Sequence, residues 1–302
     1  MSYVNAARHF CKTRKGLHLA MGLKFTKMHG CGNDYIYFNC FEQKIENPEQ
    51  LSIKLSDRHF GVGGDGIVLI CPSDKADAKM RMFNLDGSEG KMCGNAIRCI
   101  GKYLYDNGIV KKNTLTVETL SGIKILDLFT GSDGLVEKVK VDMGKAILKP
   151  SEIPVNFDGD TAVKRKMTVD GKDYEVTCVS MGNPHCVIFT DIDVAKIPLE
   201  EIGPKFEFSE LFPERVNTEF INVLDSHTLK MRVWERGSGE TLACGTGACA
   251  SAVAACLNGY CKKGEDITVK LVGGDLTINY TDDAVFMTGA ATVSFTGELA
   301  DD

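Results

Sequence analysis

The second half of the chain repeats the first. Residues 79–95 read KMRMFNLDGSEGKMCGN and residues 230–246 read KMRVWERGSGETLACGT, and aligned positions lie 151 residues apart, as Cys93 and Cys244 do. In both halves a helical pattern follows and ends at Asn-Gly, a common helix stop. A repeat this long indicates two duplicated domains rather than a solenoid of short repeats. A chain of 302 residues is long enough for two domains of ordinary size.

Each repeat places a cysteine where a strand-like run gives way to a helix. In the second repeat, the run ending at Trp234 leads through a Gly/Ser turn to Cys244, and a helix of small residues is expected over residues 248–257. The first N–H groups of a helix have no partner within it. Together with the helix dipole they stabilise a thiolate, and they can also bind a carboxylate. The pattern therefore indicates an activated cysteine beside an acid.

The helix over residues 248–257 is apolar on nearly all sides, so it must be buried all round. Strand patterns dominate much of the remaining sequence of both halves. We therefore predict an α+β fold with two pseudo-symmetric domains, each a mostly antiparallel β-sheet or barrel wrapped around a central helix. The active site is expected in the cleft between the domains, with Cys93 and Cys244 on opposite walls.

The predicted domain boundaries follow from where these patterns begin and end. Residues 1–21 are basic and lack a clear amphipathic pattern, so we expect a disordered N-terminal extension. The first lobe should comprise residues 22–143 together with 290–302, and the second lobe residues 144–289. A helix with proline in its first turn is predicted over residues 48–57.

Composition limits the partners and the compartment. A net charge of -6 argues weakly against a nucleic-acid partner, and no apolar run is long enough to span a bilayer. The 12 cysteines form no Cys-x-x-Cys pair and match no common zinc spacing, so no metal site is predicted. Many of them lie in apolar context, as small buried thiols in a reducing cytoplasm do. We expect a cytoplasmic protein with a small-molecule substrate and no membrane partner.

The glycine-rich residues 61–66 are similar to a nucleotide-binding loop only at first sight. They contain no lysine and lead into a strand predicted over residues 67–71 rather than into a helix, so a phosphate site is not favoured. A tight turn that holds Asp65 near a site is predicted instead.

Two thiols across one cleft suit a particular chemistry. A thiolate can remove a proton from one face of a carbon while a thiol returns another proton to the opposite face, and this inverts the stereocentre. A free thiol titrates near pH ~8.5, so neighbouring groups must set which sulfur is ionised. Glu235 and His185 are the candidates, because both lie beside the duplicated motifs.

Seven short motifs occur along the chain: KMHGCGNDY (residues 27–35), FNLDGSE (83–89), CGN (93–95), MGNPH (181–185), RVN (215–217), ERGSGET (235–241) and ACGTG (243–247). With these motifs the sequence resembles one known family, diaminopimelate epimerase, and the similarity extends over nearly everything from Leu23 onward.

The resemblance implies an epimerase that needs no cofactor and interconverts LL- and meso-diaminopimelate in lysine and cell-wall synthesis. By position, Cys93 and Cys244 become the two acid/base groups, and His185 and Glu235 tune them. The remaining family positions imply substrate contacts. The implied set is Asn33, Asn84, Gly94, Asn95, Asn183, Asn217, Glu235, Arg236, Gly245 and Thr246, with Gly94-Asn95 and Gly245-Thr246 at the reacting carboxylate and Arg236 on the distal one.

Two positions depart from the family pattern, and other functions remain open. Gly66 stands where some relatives carry a substrate-contacting Gln, and Cys31 stands where Leu is common.

A proline-racemase-like or phenazine-biosynthesis-like isomerase is an alternative, although Asn95 replaces the His usual after Cys-Gly in proline-type enzymes. A papain-like hydrolase or a non-catalytic amino-acid-binding protein would leave the second thiol unexplained. A pyridoxal-phosphate enzyme has no evident lysine here. A homodimer is common in the family, and the sequence leaves the oligomeric state open.

Overall fold

The computed structural model describes residues 22–300. The predicted N-terminal extension, residues 1–21, lies outside the described residues, as do residues 301–302 of the predicted first lobe. Among the residues described, no helix has both the length and the apolar character needed to cross a membrane.

The first half contains eight strands and two helices. In chain order they are β1 (Lys24–Gly30), β2 (Asn33–Asn39), α1 (Pro48–Ser56), β3 (Gly66–Cys71), β4 (Ala78–Asn84), β5 (Glu89–Gly90), α2 (Gly94–Asp106), β6 (Thr114–Thr119), β7 (Gly122–Thr130) and β8 (Val136–Asp142).

The second half contains the remaining strands and helices. In chain order they are β9 (Arg165–Val169), β10 (Lys172–Ser180), β11 (Pro184–Phe189), α3 (Leu199–Glu207), β12 (Asn217–Asp225), β13 (Thr228–Glu235), β14 (Gly239–Glu240), α4 (Gly245–Asn258), β15 (Asp266–Leu271), β16 (Gly274–Tyr280), β17 (Val285–Ala290) and β18 (Thr292–Glu298).

The strand pairing of the first half recurs in the second. The first half pairs β1–β2 antiparallel, β2–β3 parallel, β3–β4 antiparallel, β4–β6 parallel and then β6–β7–β8 antiparallel. The second half repeats this with β10–β11, β11–β12, β12–β13, β13–β15 and β15–β16–β17. Strand β18 lies beside β1 as β9 lies beside β10. The prediction of two pseudo-symmetric, mostly antiparallel domains is confirmed.

One helix lies at the centre of each half. Helix α2 packs on β1, β2, β7 and β8, and helix α4 packs on β10–β13 and on β15–β17. The side chains of α4 are buried through most of its length, as its uniformly apolar sequence predicts. Helix α4 begins at Gly245, three residues before the predicted start, so Cys244 immediately precedes it. It ends at Asn258 and is followed by Gly259, whose φ of 83° is the left-handed conformation that glycine adopts readily.

The other two helices also occupy equivalent positions. Helix α1 ends one residue before its predicted end, and it lies between β2 and β3 in the chain. Helix α3 lies between β11 and β12, where the sequence indicates only mixed loop and helix. Strand β17 pairs with β16 on one side and with β8 on the other, and so joins the two halves. Because β17 pairs with strands of both halves, the sheet does not divide at this point. The predicted boundaries of the two lobes therefore stay a prediction.

Burial of α2 should account for a measurable part of the stability of the first half. Leu104 is fully buried in this helix, whereas Leu120, in the turn after β6, is 59% exposed. Leu104→Ala should lower the free energy of unfolding by about 2–5 kcal/mol, because it removes packed methyl groups and leaves a cavity. Urea denaturation followed by circular dichroism measures this. Leu120→Ala is the matched control and should change the free energy of unfolding by less than about 0.5 kcal/mol. Equal losses in the two variants would show that burial of Leu104 in α2 does not contribute this stability.

Candidate active site

A cavity of about 1360 Å³ lies between the two halves. Both halves contribute to its lining, and most of the residues that the sequence singles out lie in it. Those lining residues are Asn33, Asn84, Cys93, Gly94, Asn95, Asn183, Glu235, Arg236, Cys244, Gly245 and Thr246, together with Asp65. His185 and Asn217 do not line it; both are buried behind its wall. The residues from 22 to 300 contain no group of three or more metal-ligating side chains.

Cys93 and Cys244 lie at equivalent places, each as the residue before the first turn of a central helix. The Cys93 thiol donates to Asn33 Oδ1 at 3.3 Å. Cys244 Sγ accepts from the Gly247 N–H at 3.4 Å and lies 3.5 Å from Thr246 Oγ1. Both sulfurs therefore lie beside free helix N–H groups, which favour a negative charge.

The first turns of α2 and α4 meet at this cavity. Met287 of β17 lies against both: a Cβ added at Gly94 would lie 2.8 Å from Met287 Cε, and one at Gly245 would lie 3.1 Å from Met287 Sδ. Asn95 Nδ2 donates to the Ala243 carbonyl at 3.3 Å and so connects the two helix starts. The buried Asn95 Oδ1 has no hydrogen-bond partner among the described residues. Two helix starts without side chains at their first residues can together hold a carboxylate.

The two sulfurs have different electrostatic surroundings. Burial raises the pKa of the Cys93 thiol, while the Ala96 and Asn95 N–H groups act to lower it. Burial raises the pKa of Cys244 well above its ordinary value, and the negative charges of Glu235 and Glu219 raise it further. A thiolate is thus harder to form at Cys244 than its helix position alone implies.

A chain of hydrogen bonds leads from the buried Glu219 to Cys244. Glu219 Oε1 lies 2.6 Å from His185 Nδ1, and His185 Nε2 lies 3.1 Å from Asn183 Oδ1. Asn183 Nδ2 then donates to Thr246 Oγ1 at 3.3 Å, next to the sulfur of Cys244. His185 therefore acts on the site through Asn183, without facing the cavity itself. Glu219 Oε2 has no partner in the part of the chain that the structure describes.

Glu235 lies at the end of β13 and reaches the cavity from the second half. It accepts from Thr241 Oγ1 at 2.5 Å, and burial raises the pKa of its carboxyl group. Its charge acts on both Cys93 and Cys244. Glu235 is thus placed to influence both sulfurs.

Asn33 is held in place by a network of charged residues in the first half. Its Nδ2 donates to Asp65 Oδ2 at 2.6 Å, and Arg58 bridges Asp65 and Asp34 at 3.0 and 2.8 Å. Lys27 pairs with Asp34 from the buried side at 2.6 Å. The network leaves Asn33 Oδ1 directed at the Cys93 sulfur. Arg58 also lines the cavity, although nothing in the sequence singles it out.

Arg236 lies in the turn between β13 and β14, and buried groups hold that turn. Asn217 Oδ1 accepts from the Arg236 N–H at 2.9 Å, and Asn217 Nδ2 donates to the Pro184 carbonyl at 2.8 Å. Glu207 Oε1 accepts from the Gly237 N–H at 3.0 Å. Asn217 uses both ends of its amide on the backbone, so it positions the turn that carries Arg236. In the first half, Asn84 donates to Ser88 Oγ at 3.0 Å from the equivalent turn.

Gly66 does not line the cavity, unlike its neighbour Asp65. A Cβ at Gly66 would lie 2.0 Å from the Phe83 carbonyl oxygen, so the backbone here has no space for a side chain. The contact that a Gln makes in some relatives has no counterpart at this position.

The fold and the paired cysteines define the class: a two-domain protein with a thiol at the helix start of each domain. The same fold occurs in a probable proline racemase from Agrobacterium radiobacter K84 (TM-score 0.70, 15% identity, 93% of each chain covered). A PhzF-family phenazine biosynthesis protein from Bacillus anthracis also has it (TM-score 0.67, 16% identity, 93% of this chain and 99% of that chain).

The chain belongs to the diaminopimelate epimerase family. The model of this family, diaminopimelate epimerase, matches residues 25–149 and 177–294. The diaminopimelate epimerase of Acetivibrio thermocellus is 59% identical over 280 residues, which cover 92% of this chain and 98% of that protein. The resemblance drawn from the sequence motifs is confirmed.

Sequence reasoning missed two charged residues of this region, Glu219 and Arg98. Glu219 lies in a strand of mostly apolar residues and is fully buried, and Arg98 is a fully buried arginine in α2. Each of these residues is a charge within an otherwise apolar pattern, and this was the signal that the sequence offered. An ionised side chain that points inward needs a specific partner.

Replacing Glu235 tests the electrostatic difference between the sulfurs. Glu235→Gln should lower the pKa of Cys244, because it removes a nearby negative charge, and alkylation of Cys244 at pH 7 should become roughly tenfold faster. Peptide mass spectrometry after timed iodoacetamide treatment measures this. Asp86→Asn is the control, since Asp86 also lines the cavity but is not one of the charges that chiefly raise the pKa of Cys244. If the alkylation rate of Cys244 is the same in Glu235→Gln as in the parent protein, Glu235 does not raise the pKa of Cys244.

Proposed function

We propose that this protein interconverts LL- and meso-diaminopimelate by moving a proton across one stereocentre, without a cofactor. The observation that carries the proposal is the placement of Cys93 and Cys244 at two helix starts that line one cavity. Membership of the diaminopimelate epimerase family supports the substrate.

The chemistry requires one base and one acid. A thiolate removes the hydrogen next to the carboxylate from one face, and the electron pair left on carbon is delocalised into that carboxylate. The thiol on the other face then donates its proton to the same carbon, which inverts the centre and leaves the thiolate on the second cysteine. In the reverse direction Cys93 and Cys244 exchange roles.

The helix starts stabilise the charge that develops in this step. Gly94-Asn95 and Gly245-Thr246 direct backbone N–H groups at the reacting carboxylate, which gains negative charge as the proton leaves. Because the donors belong to buried helices, they are already oriented before the substrate binds. The same N–H groups favour thiolate formation at the adjacent sulfurs.

The rest of the cavity suits the distal amino acid of the substrate. Arg236 offers a bidentate contact to a carboxylate, and Asn33, Asn84 and Asn183 offer amide groups. We assign Asn217 to positioning the Arg236 turn, and His185 and Glu235 to tuning Cys244.

A place in lysine and peptidoglycan precursor synthesis follows from this reaction, and a cytoplasmic location is part of the proposal. The cysteines within residues 22–300 are free thiols, as in proteins of reducing compartments.

We also propose a homodimer. Strand β18 pairs with β1 alone in the described sheet, and it leaves Val293 and Phe295 43% and 48% exposed. Sedimentation equilibrium at several concentrations tests the dimer.

The reaction is tested by incubating the protein with LL-diaminopimelate in heavy water. Deuterium should appear at one carbon next to a carboxylate, together with the meso isomer. Cys93→Ala and Cys244→Ala should each lower kcat for epimerisation by about 10²–10⁴-fold or more, because each removes the proton carrier for one face. Cys256→Ala, a change in the helix that Cys244 immediately precedes, is the control. Near-normal turnover by either of the first two variants would refute the two-base reaction.

The distal contact is tested separately. Arg236→Ala should raise KM for diaminopimelate roughly 10- to 100-fold, because it removes a charge-assisted hydrogen-bonded pair worth about 1.5–3 kcal/mol. Steady-state kinetics measure the change. Arg165→Ala serves as control, since Arg165 stacks on Phe157 and does not line the cavity. An unaltered KM in Arg236→Ala would remove Arg236 from the substrate site.

A further inference from the structure

Arg98 is a fully buried cation one turn into α2. Its Nη1 donates to the Gly94 carbonyl at 3.1 Å and its Nε donates to the Ala290 carbonyl at 3.2 Å. Nη2 lies 3.8 Å from Cys31 Sγ. Within residues 22–300 no carboxylate forms an ion pair with it. A buried charge without a countercharge is costly, so its presence calls for a physical reason.

The backbone leaves a dedicated space for this side chain. A Cβ at Gly30 would lie 2.8 Å from Arg98 Nη2, and one at Gly289 would lie 3.1 Å from Arg98 Nε. Two glycines, one at the end of β1 and one on β17, therefore admit the guanidinium beneath the first turn of α2. Its position adds a full positive charge to the end of the helix that already favours an anion.

The duplicated half differs at this position and at two others near the sulfurs. The residue 151 positions after Arg98 is Cys249, which carries no such charge. Conversely, Glu219 and Glu235 lie beside Cys244, whereas the residues 151 positions earlier are Val68 and Asn84. The two helix starts are alike in backbone, yet one has the buried cation of Arg98 behind it and the other has the buried carboxylate of Glu219, while the charge of Glu235 acts on both sulfurs.

We propose that Arg98 is a positioning residue that stabilises the thiolate of Cys93, and that it makes Cys93 the ionised cysteine of the resting protein. This role rests on the proposed function. The negative charge that Arg98 lacks in the structure is supplied by the Cys93 sulfur, held at the same helix start. Glu219 and Glu235 keep Cys244 protonated, so the pair is ready as one base and one acid.

Other groups also face Cys93 and must be held constant in any test. They are Cys99 on α2, Tyr35 and Tyr37 on β2, Glu235 on β13, Cys244 before α4, and Asp65 and Lys91 in the cavity lining. Arg98 acts to lower the pKa of the Cys93 thiol, whereas the charges that act most strongly on the pKa of Cys244 are those of Glu235 and Glu219, so Cys244 serves as an internal control.

The test measures the pH dependence of alkylation of Cys93 and Cys244 in the full-length protein without substrate. Iodoacetamide is the probe, and peptide mass spectrometry reports each cysteine separately. In the parent protein Cys93 should react at lower pH than Cys244. Arg98→Met should move the Cys93 midpoint up by about one pH unit, so that its alkylation at pH 7 slows roughly tenfold. The Cys244 profile should stay unchanged.

Arg98→Lys separates charge from packing. It keeps the positive charge but loses the planar fork, so it should restore most of the Cys93 reactivity while thermal unfolding reports any packing loss. Equal shifts in the Met and Lys variants, or no shift in either, would overturn the proposal. If Arg98→Met does not fold, Arg98→Gln, which can still donate to the Gly94 carbonyl, takes its place. If no neutral variant folds, the parent protein alone provides the test. The proposal is then overturned if Cys244 reacts at lower pH than Cys93.

These measurements need no turnover. Absence of deuterium incorporation with diaminopimelate would refute the proposed reaction while leaving the alkylation profiles interpretable. Normal incorporation with an unshifted Cys93 profile would refute the role of Arg98 alone.

Discussion

The site depends on the close approach of two helix N-termini. Helices α2 and α4 are each enclosed by strands, and their first turns face one cavity. Met287 packs against Gly94 and Gly245, so a side chain at either position would press on it. Because Cys93 and Cys244 each precede their helix by one residue, this packing fixes where both sulfurs lie. The unpaired N–H groups of both helices then lie beside the sulfurs, where they can also bind a carboxylate.

A duplicated domain suits a reaction that must treat both faces of one carbon. Two copies of the same strand–turn–helix unit place the same group on opposite walls, with the same backbone donors. The ion pairs that support the units are also duplicated: Arg81–Glu89 and Arg232–Glu240 both have 2.7 Å contacts. An acid and a base must nevertheless differ in protonation, so the side chains around the sulfurs cannot be duplicated as well.

Much of this frame could be predicted from the sequence because the determinants are local. The repeat, the glycines at the helix starts and the apolar pattern of residues 248–257 are read directly from the chain. The direction of individual side chains was less accessible. His185 and Asn217 are opposite each other in the parallel pair β11–β12 and lie behind the cavity wall. Motif positions indicate that they matter, but only strand pairing shows that they act through Asn183 and the Arg236 turn.

The charges buried behind the site could not be predicted for a related reason. Periodicity indicates that Glu219 and Arg98 point inward, but it does not show whether a partner is present there. Within residues 22–300, Glu219 has His185 at 2.6 Å, and the hydrogen-bond partners of Arg98 are carbonyl oxygens and sulfur atoms. Apolar residues would make both positions less costly to bury. The two halves keep a common backbone and differ in these charges, and the proposed assignment of one ionised and one protonated cysteine rests on this difference.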